Sequence, residues 1–164
     1  MQRAALVAGA LLTSTVATMS TWAAAATAAT ACELVLIEHR SGRELARLAL
    51  DPARPAARLA FTHSVLGTPV EDHYEWRQHG PGLQAHLVLE RFEGEGYGLP
   101  NAAAPGETLV RDGPGWRLTL DRVVHPLVVP TVQGMRLSVA DRPALILSTL
   151  SPKSIALQAH ACPT

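Results

Sequence analysis

From Cys32 onward, turn-forming residues punctuate this chain every eight to twelve positions, and no helical period is sustained between them. Ser41-Gly42, the Pro52/Pro55 connector, Leu66-Gly67, Gly80-Pro81-Gly82 and Asp112-Gly113-Pro114-Gly115 each separate two short runs of alternating apolar residues. An amphipathic helix needs apolar residues three and four apart over ten or more positions, whereas these runs are short and have a period near two. The runs include LVLIEH, LARLAL, RLAFTHSV, TPVEDHYEW, LQAHLVLERF, TLVR, WRLTL, PLVVPTV, GMRLSVA, PALILSTL and SIALQAHA. This pattern predicts a single all-β domain over residues 32–164, a small β-sandwich or barrel-like fold. The one long irregular stretch is EGEGYGLPNAAAPGE, a Gly/Pro-rich loop.

Residues 1–31 follow a different rule. Arg3 precedes an apolar stretch around Ala4 to Leu12, the segment has no acidic residue, and it closes in small Ala/Thr steps. That layout predicts a secretory signal peptide cut near residues 28–31, while its six Ser and Thr residues between positions 13 and 21 argue against a spanning helix. The expected location is therefore periplasmic or otherwise extracytoplasmic. The chain has only two cysteines, Cys32 and Cys162, at the two ends of the remaining domain. In an oxidising compartment they are expected to form a disulfide. The alternative is a lipoprotein anchored at Cys32, since ATAC resembles a lipidation box, although Ala29 stands where a leucine-like residue is usual. A net formal charge of zero gives no electrostatic reason to expect nucleic acid, whose binders usually carry a basic patch.

The stretch FTHSVLGTPVEDHYEW places His63 and Asp72 on strands that should feed a core. With Leu66-Gly67 as a two-residue turn, Val65 lies opposite Thr68, His63 opposite Val70 and Phe61 opposite Asp72. Asp72 is then the diagonal neighbour of His63 on a face shared with Phe61, Val65, Val70, Tyr74 and Trp76. A polar group on such a face must be partnered or must line an entry for water or ligand. Three uses remain open: a structural His63–Asp72 pair, a ligand pocket lined by His63, Asp72, Tyr74 and the Gly-rich loop, or a metal site adding Glu90 or Glu95. The spacing lacks a close His or Cys ligand motif, so no metal and no cofactor are expected. Ser64 beside His63 cannot form a triad with it, because neighbours on a strand point to opposite faces. With no Gly-x-Ser-x-Gly elbow, phosphate loop or Cys-x-x-Cys, no catalytic residue is expected.

HSVLGTPVEDHYEW, followed by ERFEGEGYGLP, resembles a small exported bacterial family known as domain-of-unknown-function family 1850. The first block is carried by His63, Ser64, Val65, Thr68, Pro69, Val70, Asp72, Tyr74 and Glu75, and the second by Arg91, Phe92, Gly96, Gly98, Leu99 and Pro100. A cysteine soon after an apolar leader, here Cys32, also fits. The resemblance implies a non-enzymatic accessory of the TAXI branch of TRAP (tripartite ATP-independent periplasmic) transporters, meeting the membrane subunit or the solute-binding protein. An independent small-ligand or metal-binding module is the alternative. The expected binding face comprises His63, Ser64, Thr68, Pro69, Glu71, Asp72, Tyr74 and Glu75 with Glu93, Glu95, Tyr97 and Gly98 of the loop. Between positions 71 and 95 its acidic residues meet only Arg77 and Arg91, which predicts a basic partner.

Overall fold

A computed structural model describes residues 32–160 and Cys162; the expected signal peptide lies outside the described residues. The alternating runs form eleven antiparallel strands. These are β1 (Glu33–Glu38), β2 (Glu44–Ala49), β3 (Ala56–Thr62), β4 (Pro69–His79), β5 (Gly82–Phe92), β6 (Thr108–Asp112), β7 (Gly115–Val124), β8 (Val128–Val129), β9 (Arg136–Ser138), β10 (Leu145–Ile146) and β11 (Ile155–His160). Among the described residues the only helical piece is a 3-10 turn at Leu147–Thr149. No helix among them is long and apolar enough to cross a membrane.

The strands make two sheets, one of four strands in the order β2-β1-β11-β8 and one of seven in the order β10-β9-β3-β4-β5-β7-β6. Both turn their apolar faces to one core, with Leu34, Leu36, Ile155 and Leu157 from the smaller sheet and Leu59, Trp76, Leu118 and Leu137 from the larger. The fold is thus an all-β sandwich, as the period-two pattern predicts.

The termini of the domain meet because β1 and β11 pair antiparallel with Glu33 opposite His160. That register brings Cys32 and Cys162, 130 positions apart, into a disulfide. The bridge takes up the Cys32 sulfur that lipid attachment would require, and it is consistent with an extracytoplasmic protein.

Tight turns set the long strands of the larger sheet. Gly80-Pro81 joins β4 to β5 with His79 opposite Gly82, and Gly113-Pro114 joins β6 to β7 with Asp112 opposite Gly115. Glycine is required at position 115, where a Cβ would collide with the Phe92 carbonyl oxygen of the neighbouring strand.

Candidate functional site

The two sequence blocks fold into adjacent parts of the larger sheet, namely the β3–β4 hairpin and the end of β5 with the loop that follows it. The hairpin differs from the sequence expectation by a two-residue slip. Phe61 lies opposite Val70 and Leu59 opposite Asp72, so the connection is the four-residue loop Ser64–Gly67 rather than a two-residue turn. His63 closes that loop, with its amide donating to the Thr68 carbonyl at 2.8 Å and its carbonyl accepting from Gly67 at 2.9 Å. Its ring turns back on the loop, where Nδ1 accepts from the amides of Val65 (3.3 Å) and Leu66 (3.2 Å). His63 is therefore a turn-capping residue and is not the partner of Asp72. A slip of two preserves the strand alternation, so Val70, Asp72, Tyr74 and Trp76 still share the inward face.

On that inward face one row of paired residues crosses all seven strands: Leu145, Leu137, Leu59, Asp72, Glu90, Leu118 and Leu109. Two carboxyl groups thus oppose each other at the centre of a leucine row. Strict alternation from Ala85 and Leu87 would turn Leu89 inward and Glu90 outward. The pairing of β4 with β5 instead skips Val88, since Tyr74 faces Leu87 while His73 faces Leu89. This bulge rotates Glu90 to the core side. No sequence signal announces it.

The polar surroundings of the pair are sparse. The Tyr74 hydroxyl donates to Asp72 Oδ2 at 3.4 Å. Asp72 Oδ1 and Glu90 Oε2 are buried with no hydrogen-bond partner, alone among side-chain oxygens of the described residues. Burial, reinforced by the charge of Glu90, pushes the Asp72 carboxyl up to about 7. Burial likewise raises Glu90, with Glu107 adding to the effect and Arg122 opposing it. The Tyr74 hydroxyl is raised well above its ordinary range, first by burial and then by the Asp72 and Glu90 charges.

The outward face carries the other half of the first block, and its acidity is not free. Glu71 meets His73 at 2.6 Å, Arg58 at 3.2 Å and Arg91 at 3.8 Å. Glu75 meets Arg54 at 2.9 Å and Arg77 at 3.4 Å, and Arg77 continues to Asp121 at 2.8 Å, where His86 Nδ1 also binds. The expected excess of negative charge counted only Arg77 and Arg91. Arg54 and Arg58 reach the same carboxylates from β3 and its approach, and Arg111 reaches Glu95 from β6 at 3.4 Å. This face is a ladder of opposite charges in which the carboxylates of Glu71 and Glu75 are each paired within the chain.

The loop of the second block is fastened to the hairpin tip. The Thr68 hydroxyl donates to the Glu93 carbonyl at 2.7 Å, and the Glu93 amide donates to the Pro69 carbonyl at 3.3 Å. Gly94, at φ +96°, lies so close to the tip that a Cβ would sit 2.9 Å from Leu66 Cδ1. Beyond it Tyr97 adopts φ +53°, a left-handed conformation that costs a side chain about 1–2 kcal/mol, and it is 72% exposed. Val65 at the tip is 62% exposed. Ser64 and Pro69 are exposed beside them, and Gly98, at φ +94°, completes the loop's turn. The expected binding residues thus divide between three places: Asp72 and Tyr74 inward, Glu71 and Glu75 outward, and the rest at the tip.

The family described as "Domain of unknown function (DUF1850)" matches residues 58–143, slightly more than half of the chain. The chain belongs to that family. The DUF1850 match runs from β3 to just before β10, and so takes in nearly all of the larger sheet, the Asp72–Glu90 pair and the hairpin–loop tip. It leaves β1, β2 and β11 outside. Neither curated proteins nor solved structures give a match.

Proposed function

We propose that this protein is an exported, non-enzymatic accessory of a TAXI-type TRAP solute uptake system, acting through protein contacts made by the hairpin–loop tip. Tyr97 carries the reading. A non-glycine residue held in a left-handed conformation while its aromatic ring projects into solvent gains nothing for the fold, and such strain concentrates at functional positions. Val65 projects from the segment against which the loop packs. An exposed tyrosine and an exposed aliphatic residue on a rigid sheet end make a compact protein-contact surface, since tyrosine supplies large area at little rotamer cost. The family resemblance supplies the system, and the disulfide between the domain's ends suits the compartment. The test is capture from solubilised membranes with the mature protein as bait, followed by identification of the permease or the solute-binding protein. Capture that is lost in the folded Val65→Ser/Tyr97→Ser variant supports the reading; capture of neither component, or capture unaffected by the variant, overturns it.

A second reading, an independent small-ligand module, is favoured by a groove of about 660 Å3 on the larger sheet. Arg54, Arg58, His73 and Glu75 line it, with Val88 and Leu89 of the bulged segment. Its size suits a small molecule, and its mix of apolar and paired charged residues suits one that is itself amphipathic. Native mass spectrometry of the protein purified from its own compartment, showing a bound species released on unfolding, would favour this reading over the first.

A further inference from the structure

Two facing carboxyl groups in an apolar row cannot both ionise without cost, because like charges directly opposite on a ladder repel and one oxygen of each is buried away from water. Direct cross-strand partners have Cβ atoms about 4.5–5.5 Å apart, within reach of a carboxyl–carboxyl contact. Asp72 and Glu90 are such partners, and each keeps one buried oxygen without a donor. A single proton placed between them would supply the missing donor for both. If one carboxyl is protonated, its O–H donates to the orphan oxygen of the other, and one negative charge remains.

We infer that Asp72 and Glu90 share one proton in the folded protein and act as a protonation-dependent clasp between β4 and β5. The surrounding groups suit one charge better than two. On β4, Tyr74 donates weakly to Asp72, and Glu71 adds negative charge. On β7, Arg122 acts on Glu90 but is already held by Glu107, ahead of β6, through contacts of 2.6 and 2.8 Å. β3 and β7 flank the pair in its row with Leu59 and Leu118, which are fully buried and offer no donor. When the shared proton is lost the clasp becomes a repulsion at the centre of the sheet. The clasp closes in acid and opens in alkali, and it holds whatever the chain's partner proves to be.

Carbon-13 NMR of the side-chain carboxyls in the whole mature protein, followed across the acid-to-alkaline range, reads this directly. The two carbons should titrate as one coupled system, with the last proton leaving far above the ordinary carboxylate range. In Glu90→Gln, the Asp72 step should move down by about one pH unit or more, because the like charge is gone. Two independent titrations near the ordinary value of about 4 in the unaltered protein would overturn the inference. So would an Asp72 step unmoved in Glu90→Gln. Should that variant fail to fold, the titration of the unaltered protein decides alone.

Discussion

The Thr68 hydroxyl and the Glu93 carbonyl, joined at 2.7 Å, tie the β3–β4 hairpin tip to the first residue after β5. Twenty-five residues separate the two groups, yet this bond and the Gly94–Leu66 contact make the two sequence blocks one surface. Thr68→Val keeps the shape and removes the donor. It should cost about 1 kcal/mol, the usual net worth of such a bond, and should loosen the loop before the sheet. Amide hydrogen exchange is the measurement: faster exchange over residues 93–99 with β7 unchanged is the expected outcome, and uniform exchange across the domain would contradict it.

Under the proposed function, substitution at Tyr97 should separate stability from partner capture. Tyr97→Gly relieves a left-handed backbone at φ +53° that only glycine occupies freely, but it also loosens the unfolded chain. The conformational relief and the entropic loss are of similar size, about 1 kcal/mol each, so the thermal midpoint should barely move. Partner capture should fall sharply. A midpoint lowered substantially would show that the exposed ring packs on something the fold needs.

Much of the architecture is legible in the sequence because antiparallel sandwiches bury one face, which leaves a period-two trace in every long strand. Even the inward set of β4 survives an error in register, since a slip of two keeps each side chain on its face. The slip arises because Leu66-Gly67 reads as a whole turn, whereas Gly67 (φ +68°) only closes a four-residue loop that the His63 ring caps. Glu90 is legible only as an acidic residue: the bulge at Val88 that turns it inward leaves no mark in composition or period. The pairing of the outward charges is illegible in the sequence for a related reason. A window from 71 to 95 counts neighbours along the chain, while Arg54, Arg58 and Arg111 are neighbours across the sheet.

Reducing the Cys32–Cys162 bridge opens a loop that spans nearly the whole domain, 130 positions. In the chain-entropy account such a loop contributes about 5 kcal/mol by restricting the unfolded state. Cys32→Ser/Cys162→Ser should therefore unfold at markedly lower denaturant while keeping the β-rich far-ultraviolet spectrum, because the Glu33–His160 pairing does not depend on the sulfurs. Equal denaturation midpoints with and without reductant would mean that the bridge is not formed in the isolated protein.

The pH dependence of stability should be shaped from opposite ends by two carboxyl sites. Glu38 at the end of β1 accepts from Ser41 Oγ at 2.5 Å and Ser151 Oγ at 2.8 Å, with Lys153 beside it. These hydrogen bonds, Ser41 first, and the lysine charge hold it down at about 2, against an ordinary 4.5. A depressed carboxyl contributes stability that is present above its unfolded value and is lost as pH falls toward 2. Asp72 is raised by burial and by Glu90 from 3.8 to about 7, so its contribution is complete below 3.8 and is lost as pH rises through about 7. The slope of unfolding free energy against pH counts protons rather than contacts, so it separates Glu38 from the coupled Asp72–Glu90 site even where a substitution weakens the fold. Glu38→Gln should flatten the acid limb below about 4 and leave the neutral limb alone. Asp72→Asn should do the reverse, flattening the decline between about 4 and 7. Denaturant titrations at a series of pH values supply the slopes. A neutral limb equally steep in Asp72→Asn would show that the decline belongs to other groups and that Asp72 ionises without hindrance in the folded sheet.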